Sequence, residues 1–412
     1  MNRRHLIRGC CAALGAGLFT GLVPAATRAL FNPCLGQLPL ELAQHDLVLS
    51  GWHGLDASRL IDTHAHLLGT GDAGSGCSVH PSMHQWWHPA EVLRRKFILN
   101  AACVPGDAPS VDRAYVQRLQ ELCADFSAGA RWWLYAFEQA HDDEGQPQPS
   151  QSTLHVPDAY AAHIAAQEPD RFDWVASIHP YRSDALARLD ATLAAGAVAV
   201  KWLPSAMNID LRDPRCRPFC ERLARAGRPL IVHCGEEKAV PGAGRDELGN
   251  PLLMRHALAT GVTVVVAHCA SLGQAADTDR RSAPECAAFD LFARLMDEPA
   301  GAGRLLGDVS AVFQSNRTPE VWRTVLQRQD WHARLLHGSD HPLPGVMPLF
   351  SAARLQRAGL LAESDVETLN RVREHNPLLF DLLLKRRLRA GSAKLPASVF
   401  EAHALRTTVQ AA

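Results

Sequence analysis

Six residues of this chain combine metal-ligand chemistry with a spacing that lets them meet. His64 and His66 stand two apart in the run Ile61-Asp62-Thr63-His64-Ala65-His66. In a strand, positions i and i+2 project from one face, so a single strand end presents both imidazoles. Each further candidate closes an apolar run: Lys201 in AVAVKW, His233 in PLIVHC, His268 in VTVVVAHC and Asp340 in RLLHGSDHP. Imidazole nitrogens and a carboxylate are the usual ligands of zinc and similar divalent ions. An ion held by them would bring the pKa of water from about 15.7 toward about 7 and make it a nucleophile.

These residues can meet only if the segments carrying them converge. The apolar runs read as strands at about 59–66, 131–138, WVASIHP (ending at His179), AVAVKW, the run to His233, the run to His268, LLGDVSAVF and the run before Asp340. Amphipathic helical stretches separate them: about 89–127 with a break at Val104-Pro105-Gly106, then 157–168, SDALARLDATLAAG, 213–226, 251–260, 284–297 and 318–329. Strict alternation of short apolar strands with helices predicts a parallel sheet, and eight such units predict a closed barrel. In such a barrel the functional groups gather at the C-terminal strand ends, which is where every candidate ligand stands. The domain organisation read this way is a signal segment at 1–29, a Pro- and Gly-punctuated N-terminal extension at 30–56, the barrel at 57–390 closed by C-terminal helices from about 348, and an Ala-rich tail at 391–412 expected to be loosely held.

The ordered ligand set resembles the amidohydrolase superfamily of metal-dependent hydrolases over roughly residues 57–385. The wording LIDTHAHL, KWLPSAMNID, HGSDHP and HNPLLFDLLL is most similar to the amidohydrolase-related branch, which holds both hydrolases and metal-dependent decarboxylases. The resemblance implies an α/β fold, the (β/α)8 TIM barrel, and a divalent metal, foremost zinc, as one or two ions. His64, His66 and Asp340 would take the first ion, with Lys201 or His233 completing its shell. Asp340 would also be catalytic, accepting the proton of the activated water. Binuclear members carry a carbamylated lysine on strand four, which would make Lys201 a bridging ligand. A lysine touching substrate and an outward-facing structural lysine are the other two readings, because strand four is apolar on both faces and alternation does not say which way Lys201 points. His233 and His268 would hold a second ion. With one ion, His233 is the better ligand, and His268 acts on the substrate as a hydrogen-bond donor or acid.

The function implied is hydrolysis of a C–N (amide) or C–O (lactone or ester) bond in a small molecule. Nonoxidative decarboxylation on the same scaffold is the alternative, although its members typically lack the strand-four lysine. A noncatalytic periplasmic metal- or ligand-binding protein is the second alternative, and the complete ligand set argues against it. Weaker substrate candidates are His179, Glu138 and Arg317, the last for a substrate carboxylate; Asp308 and Ser310 on strand seven face the same mouth if the register is right. His80, His84 and His88, spaced by four near Trp86 and Trp87, fit a solvated helical face better than a lid.

With a net charge of −1, no electrostatic attraction to nucleic acid is expected. Asn2-Arg3-Arg4-His5-Leu6-Ile7-Arg8 resembles a twin-arginine signal; the apolar stretch from Gly9 to Val23 is too short and too rich in Gly and Ala for a stable membrane span. Cleavage between Ala25 and Ala29 and a periplasmic or secreted location are expected. Of eleven cysteines, Cys10 and Cys11 would leave with the signal, and the spacing of the others assigns no disulfide. Cys234 and Cys269, each next to a candidate ligand, should point away from the barrel centre. An oligomer is compatible with the sequence.

Overall fold

The computed structural model describes residues 30–240 and 243–405; the twin-arginine signal and its cleavage region lie outside the described residues. Eight parallel strands pair in chain order: β1 Ile61–His66, β2 Arg131–Tyr135, β3 Phe172–Ala176, β4 Ala199–Trp202, β5 Leu230–His233, β6 Val264–Ala267, β7 Leu305–Asp308 and β8 Leu335–Leu336. The ring closes where the segment after β8 runs along β1. Thr63 N–H donates to His337 O at 3.0 Å, His66 N–H to His341 O at 3.0 Å, and Asp340 N–H to His64 O at 2.7 Å. Gly338 permits this approach, since a Cβ there would stand 2.5 Å from the Cβ of His64. The molecule is therefore the expected (β/α)8 barrel. Strands β4 to β7 are buried at every position. A parallel strand covered on both faces reads as an unbroken apolar run, which is how these four appear in the sequence.

Helix α1 Asp46–Gly51 precedes the strands, and between and after them lie α2 Pro89–Ala101, α3 Val111–Ala124, α4 Asp158–Gln167, α5 Ala185–Ala194, α6 Cys216–Arg225, α7 Met254–Leu258, α8 Ala288–Asp297, α9 Pro319–Gln327, α10 Ala352–Arg357, α11 Glu363–His375, α12 Pro377–Arg387 and α13 Ala397–Phe400. The break foreseen at Val104-Pro105-Gly106 separates α2 from α3, because proline supplies no N–H and disfavours helical geometry before it. The main core lies between strands and helices and contains Cys234 and Cys269, as alternation requires. Cys216 and Cys220 are buried free thiols. Among the described residues no helix is long and apolar enough to cross a membrane.

Two expectations are corrected. The tail is not loosely held as far as Leu405: Val399 and Phe400 are fully buried, and Ala402 and Ala404 join Trp133, Ile231, Val265 and Leu306 in a second apolar cluster that fills the barrel. Alanine content misled here, since small side chains are what fits a narrow barrel end. His80, His84 and His88 do not share a helical face. Residues Pro81–His84 form one short 3-10 turn, with His80 before it and His88 preceding α2. The unassigned disulfide is Cys34–Cys103, with Cα atoms 5.6 Å apart.

Candidate active site

All six candidate ligands line one cavity of about 310 Å³ at the C-terminal mouth of the barrel. His64 and His66 arrive on β1, Lys201 on β4 and His233 on β5. Lys201 points inward: it stands two residues beyond Ala199, which belongs to the cluster inside the barrel. The outward-facing reading of this lysine is thereby corrected. His268 and Asp340 follow β6 and β8 with φ of +55° and +60°. These left-handed conformations are costly for side-chain-bearing residues and turn both groups toward the centre.

The donor atoms converge on Asp340. Its Oδ1 lies 3.2 Å from His66 Nε2 and 3.5 Å from His64 Nε2, and its Oδ2 lies 3.8 Å from His268 Nε2. One ligand atom each of His64, His268 and Asp340 fall within 4.8 Å of one another. Burial by itself pushes the Asp340 carboxyl up, but the imidazoles of His268, His66 and His64 hold it well below the usual carboxylate range. Burial lowers His64 to about 4 and lowers His233 and His268 as well. The neutral imidazole is the form that ligates metal.

Asp308 sets which nitrogen of two imidazoles faces the cavity. A carboxylate only accepts, so His64 Nδ1–H donates to Asp308 Oδ2 at 2.9 Å and Nε2 is left bare. Ser310 donates its hydroxyl to Asp308 Oδ1, and its Oγ lies 2.5 Å from His268 Nδ1. His268 is therefore the Nδ1–H tautomer with Nε2 directed at Asp340. The backbone N–H groups of His268 and Ser310 also donate to Asp308 Oδ1, each at 3.0 Å. Glu237 lies beside His233, with Oε2 3.3 Å from Nδ1. Asp308 and Ser310 thus orient the imidazoles of His64 and His268, and neither lines the cavity. Tyr135 stacks on His64 with centroids 4.6 Å apart and donates its hydroxyl to Thr63 O at 2.7 Å. Sequence reasoning missed Tyr135 and Glu237 and misassigned Asp308, whose position at the end of an apolar strand was the one available signal.

The weaker substrate candidates part company. Arg317 is buried and lines the cavity, hydrogen-bonded to Gln314 Oε1 and Asn316 Oδ1, each at 2.5 Å, and to Ser271 Oγ at 3.2 Å. These partners are neutral, and burial lowers the guanidinium to about 10. His179 lies outside the cavity lining: its Nε2 meets Met207 O at 2.8 Å and its ring stacks on His141. Glu138 also lies outside it, between His155 and Arg182 at 3.8 Å each. Both strands end before these residues, so the chain has already turned away. The upper wall is apolar, with Phe97, Ile98, Phe137, Leu154 and Leu343 among its side chains.

Fold and site together define a (β/α)8 barrel with a His/His/Asp cluster able to hold a metal ion at its C-terminal mouth. The amidohydrolase family profile matches residues 61–379, and the chain belongs to that family. No curated protein matches it. Among solved structures it is similar to a TIM-barrel protein from Bordetella bronchiseptica at 18% identity, covering 73% of this chain and 99% of that one, with a TM-score of 0.44. A probable 2-pyrone-4,6-dicarboxylic acid hydrolase from Acinetobacter baumannii matches at 14% identity over 78% and 97% of the two chains, TM-score 0.40. A 5-carboxyvanillate decarboxylase from Sphingomonas paucimobilis matches at 12% over 75% and 95%, TM-score 0.40.

Proposed function

We propose that this chain is a metal-dependent hydrolase that cleaves an amide, lactone or ester bond in a small molecule bearing a carboxylate. One observation carries the reading. His64 Nε2, His233 Nε2 and Lys201 Nζ are buried without hydrogen-bond partners, and all three residues line the cavity that holds Asp340. Buried polar atoms left unpaired are costly, and a cation with open coordination positions satisfies them. The residues therefore fit a divalent ion: His64, His66, His268 and Asp340 would hold one, and Lys201 and His233 a second. Zinc suits this donor set and would supply the Lewis acidity that makes water nucleophilic near neutral pH.

The chain's own groups do the rest. Asp340 is the proton acceptor, because it is anionic at neutral pH and sits among the imidazoles. His268, held at Nδ1 by Ser310, presents Nε2 beside Asp340, where it would serve the ion. Arg317 grips the substrate carboxylate, since its buried charge has only neutral partners. The apolar wall keeps water from the remainder. Burial lowers the Lys201 ammonium, and the neutral amine is the form that adds CO2 to become a carbamate. The Cys34–Cys103 bond and the twin-arginine-like motif at Asn2–Arg8 together support export to an oxidising compartment.

The test is elemental analysis of protein purified without chelator and with bicarbonate, followed by a screen of carboxylated amides, lactones and esters. About one or two zinc ions per chain and release of acid equal to bond cleavage are expected. Decarboxylation on the same scaffold is the second reading, favoured by the buried Arg317 at the cavity, which suits an acidic substrate, while Lys201 leans toward hydrolysis. CO2 release without water consumption would establish that reading in place of hydrolysis.

A further inference from the structure

Helix α2 forms one wall of the cavity through Arg94, Phe97 and Ile98, yet of its thirteen residues only Ala101, the last, is buried. Core packing therefore holds little of it. Its C-terminal end is seated closely: a Cβ on Gly345 would stand 2.1 Å from Ala101 O. The opposite end leads back to Trp86 and Trp87, both exposed.

Besides the short turns at Pro81–His84 and Leu343–Gly345, α2 is held by the N-terminal extension. Phe31 stacks on Phe97 with centroids 4.8 Å apart and planes 7° from parallel. Asn32 N–H donates to Asn100 Oδ1 at 2.8 Å, and Asn100 Nδ2 returns a bond to Asn32 O at 2.9 Å. Cys34 is bonded to Cys103, just beyond the helix. The same segment is tied to the body of the domain, since Asn32 Nδ2 donates to Arg373 O at 3.3 Å and Leu35 N–H to Glu374 O at 2.9 Å, both on α11. Residues 31–35 thus bridge a well-packed helix and a poorly packed one. The ring that Phe31 clamps, Phe97, is itself a cavity side chain.

We propose that residues 31–35 are a strap that fixes α2 as the adjustable wall of the cavity, and that Phe31 and the Cys34–Cys103 bond are positioning residues for Phe97 and Ile98 against the apolar part of the substrate. The substrate clause rests on the reading of the cavity given above; the mechanical clause does not. With the strap in place the wall has one position. Without it, α2 swings about its seated C-terminal end and the apolar contact is lost.

The experiment is hydrogen–deuterium exchange with mass spectrometry on the full chain, comparing wild type, the Cys34→Ser/Cys103→Ser double variant and Phe31→Ala. Amides of residues 89–101 should exchange faster in both variants, up to about tenfold in Phe31→Ala, the factor that corresponds to one lost aromatic pair, while β1–β8 stay as protected as in wild type. Unchanged exchange in α2 would overturn the strap. Equal acceleration in α2 and the strands would also overturn it, because the disulfide would then be a staple of the whole fold. If the double variant does not fold, Phe31→Ala, which keeps the disulfide, decides alone. Titration calorimetry with 1-naphthoate, a bicyclic carboxylate, reads the cavity: its dissociation constant should rise about fivefold to tenfold in Phe31→Ala. An unchanged constant alongside faster α2 exchange would overturn the positioning role. Failure of wild type to bind 1-naphthoate would count against the carboxylate reading, and the exchange data would still judge the strap.

Discussion

Replacing Asp308 by asparagine changes one atom type and tests the logic of the site. In the wild-type arrangement both carboxylate oxygens are acceptors. Oδ2 takes His64 Nδ1–H at 2.9 Å; Oδ1 takes the Ser310 hydroxyl and the N–H groups of His268 and Ser310 at 3.0 Å. An amide offers one acceptor and one NH2, so either placement fails. With NH2 toward His64, Nδ1 must accept, the proton moves to Nε2, and that nitrogen has no lone pair for metal. With NH2 toward β6 and β7, two backbone N–H groups and the Ser310 hydroxyl lose their acceptor in a fully buried site, and the order that holds His268 collapses. Loss of such a carboxylate–histidine partner costs about 10–100-fold in metal affinity, or about 1.4–2.7 kcal/mol. The assay is competition for zinc against a chromophoric chelator, with circular dichroism to verify the fold and Asp340→Asn as a loss-of-ligand reference. A wild-type zinc affinity in Asp308→Asn, with Asp340→Asn impaired, would refute the tautomer argument.

Four further outcomes follow from the same geometry. Lys201→Ala should lower the zinc content from two ions to one if a carbamate bridges them; an unchanged content near one ion would remove Lys201 from the metal shell. Arg317→Ala should raise KM for a carboxylated substrate about 10–100-fold, with kcat less affected, since a charged hydrogen-bond partner is lost; equal loss for an uncharged analogue would contradict the anchor role. Burial raises the Asp62 carboxyl from 3.8 to about 6 despite hydrogen bonds from Ser339 and His64. The folded state then binds that proton more tightly, so this contribution is present below the ordinary value and is lost as pH rises through about 6, a difference of about 3 kcal/mol. Asp62→Asn keeps an acceptor for the N–H groups of His64 and Ser339, so the wild-type Tm should fall relative to the variant between about pH 4 and pH 7; a constant gap would show that burial does not shift this group. Phe400→Ala, at a fully buried ring that meets His337 at a tilt, should cost about 3–5 kcal/mol in urea unfolding, and a cost under about 1 kcal/mol would restore the picture of a loose tail.

The barrel and the chemically capable residues that line its mouth were legible in the sequence because both are local signals. Each strand is a short apolar run, each candidate ligand ends or closely follows one, and parallel strands placed side by side bring such ends to one mouth. His64, His66, Lys201, His233, His268 and Asp340 could be named without coordinates for that reason. Direction and partnership were not legible. Strand β4 is buried on both faces, which erases the period-2 pattern that would have told which way Lys201 points. His179 and Glu138 were expected at the mouth from runs that extend past the true strand ends, and there the chain has already turned aside. Asp308 belongs to His64 across 244 positions of sequence, Cys34 to Cys103 across 69, and the alanines of the tail to a space that exists only once eight strands have closed. Residue type and periodicity determine what a segment can become. Which side chains then meet depends on the closure of the barrel and on the left-handed turns at His268 and Asp340, and only the folded chain decides that.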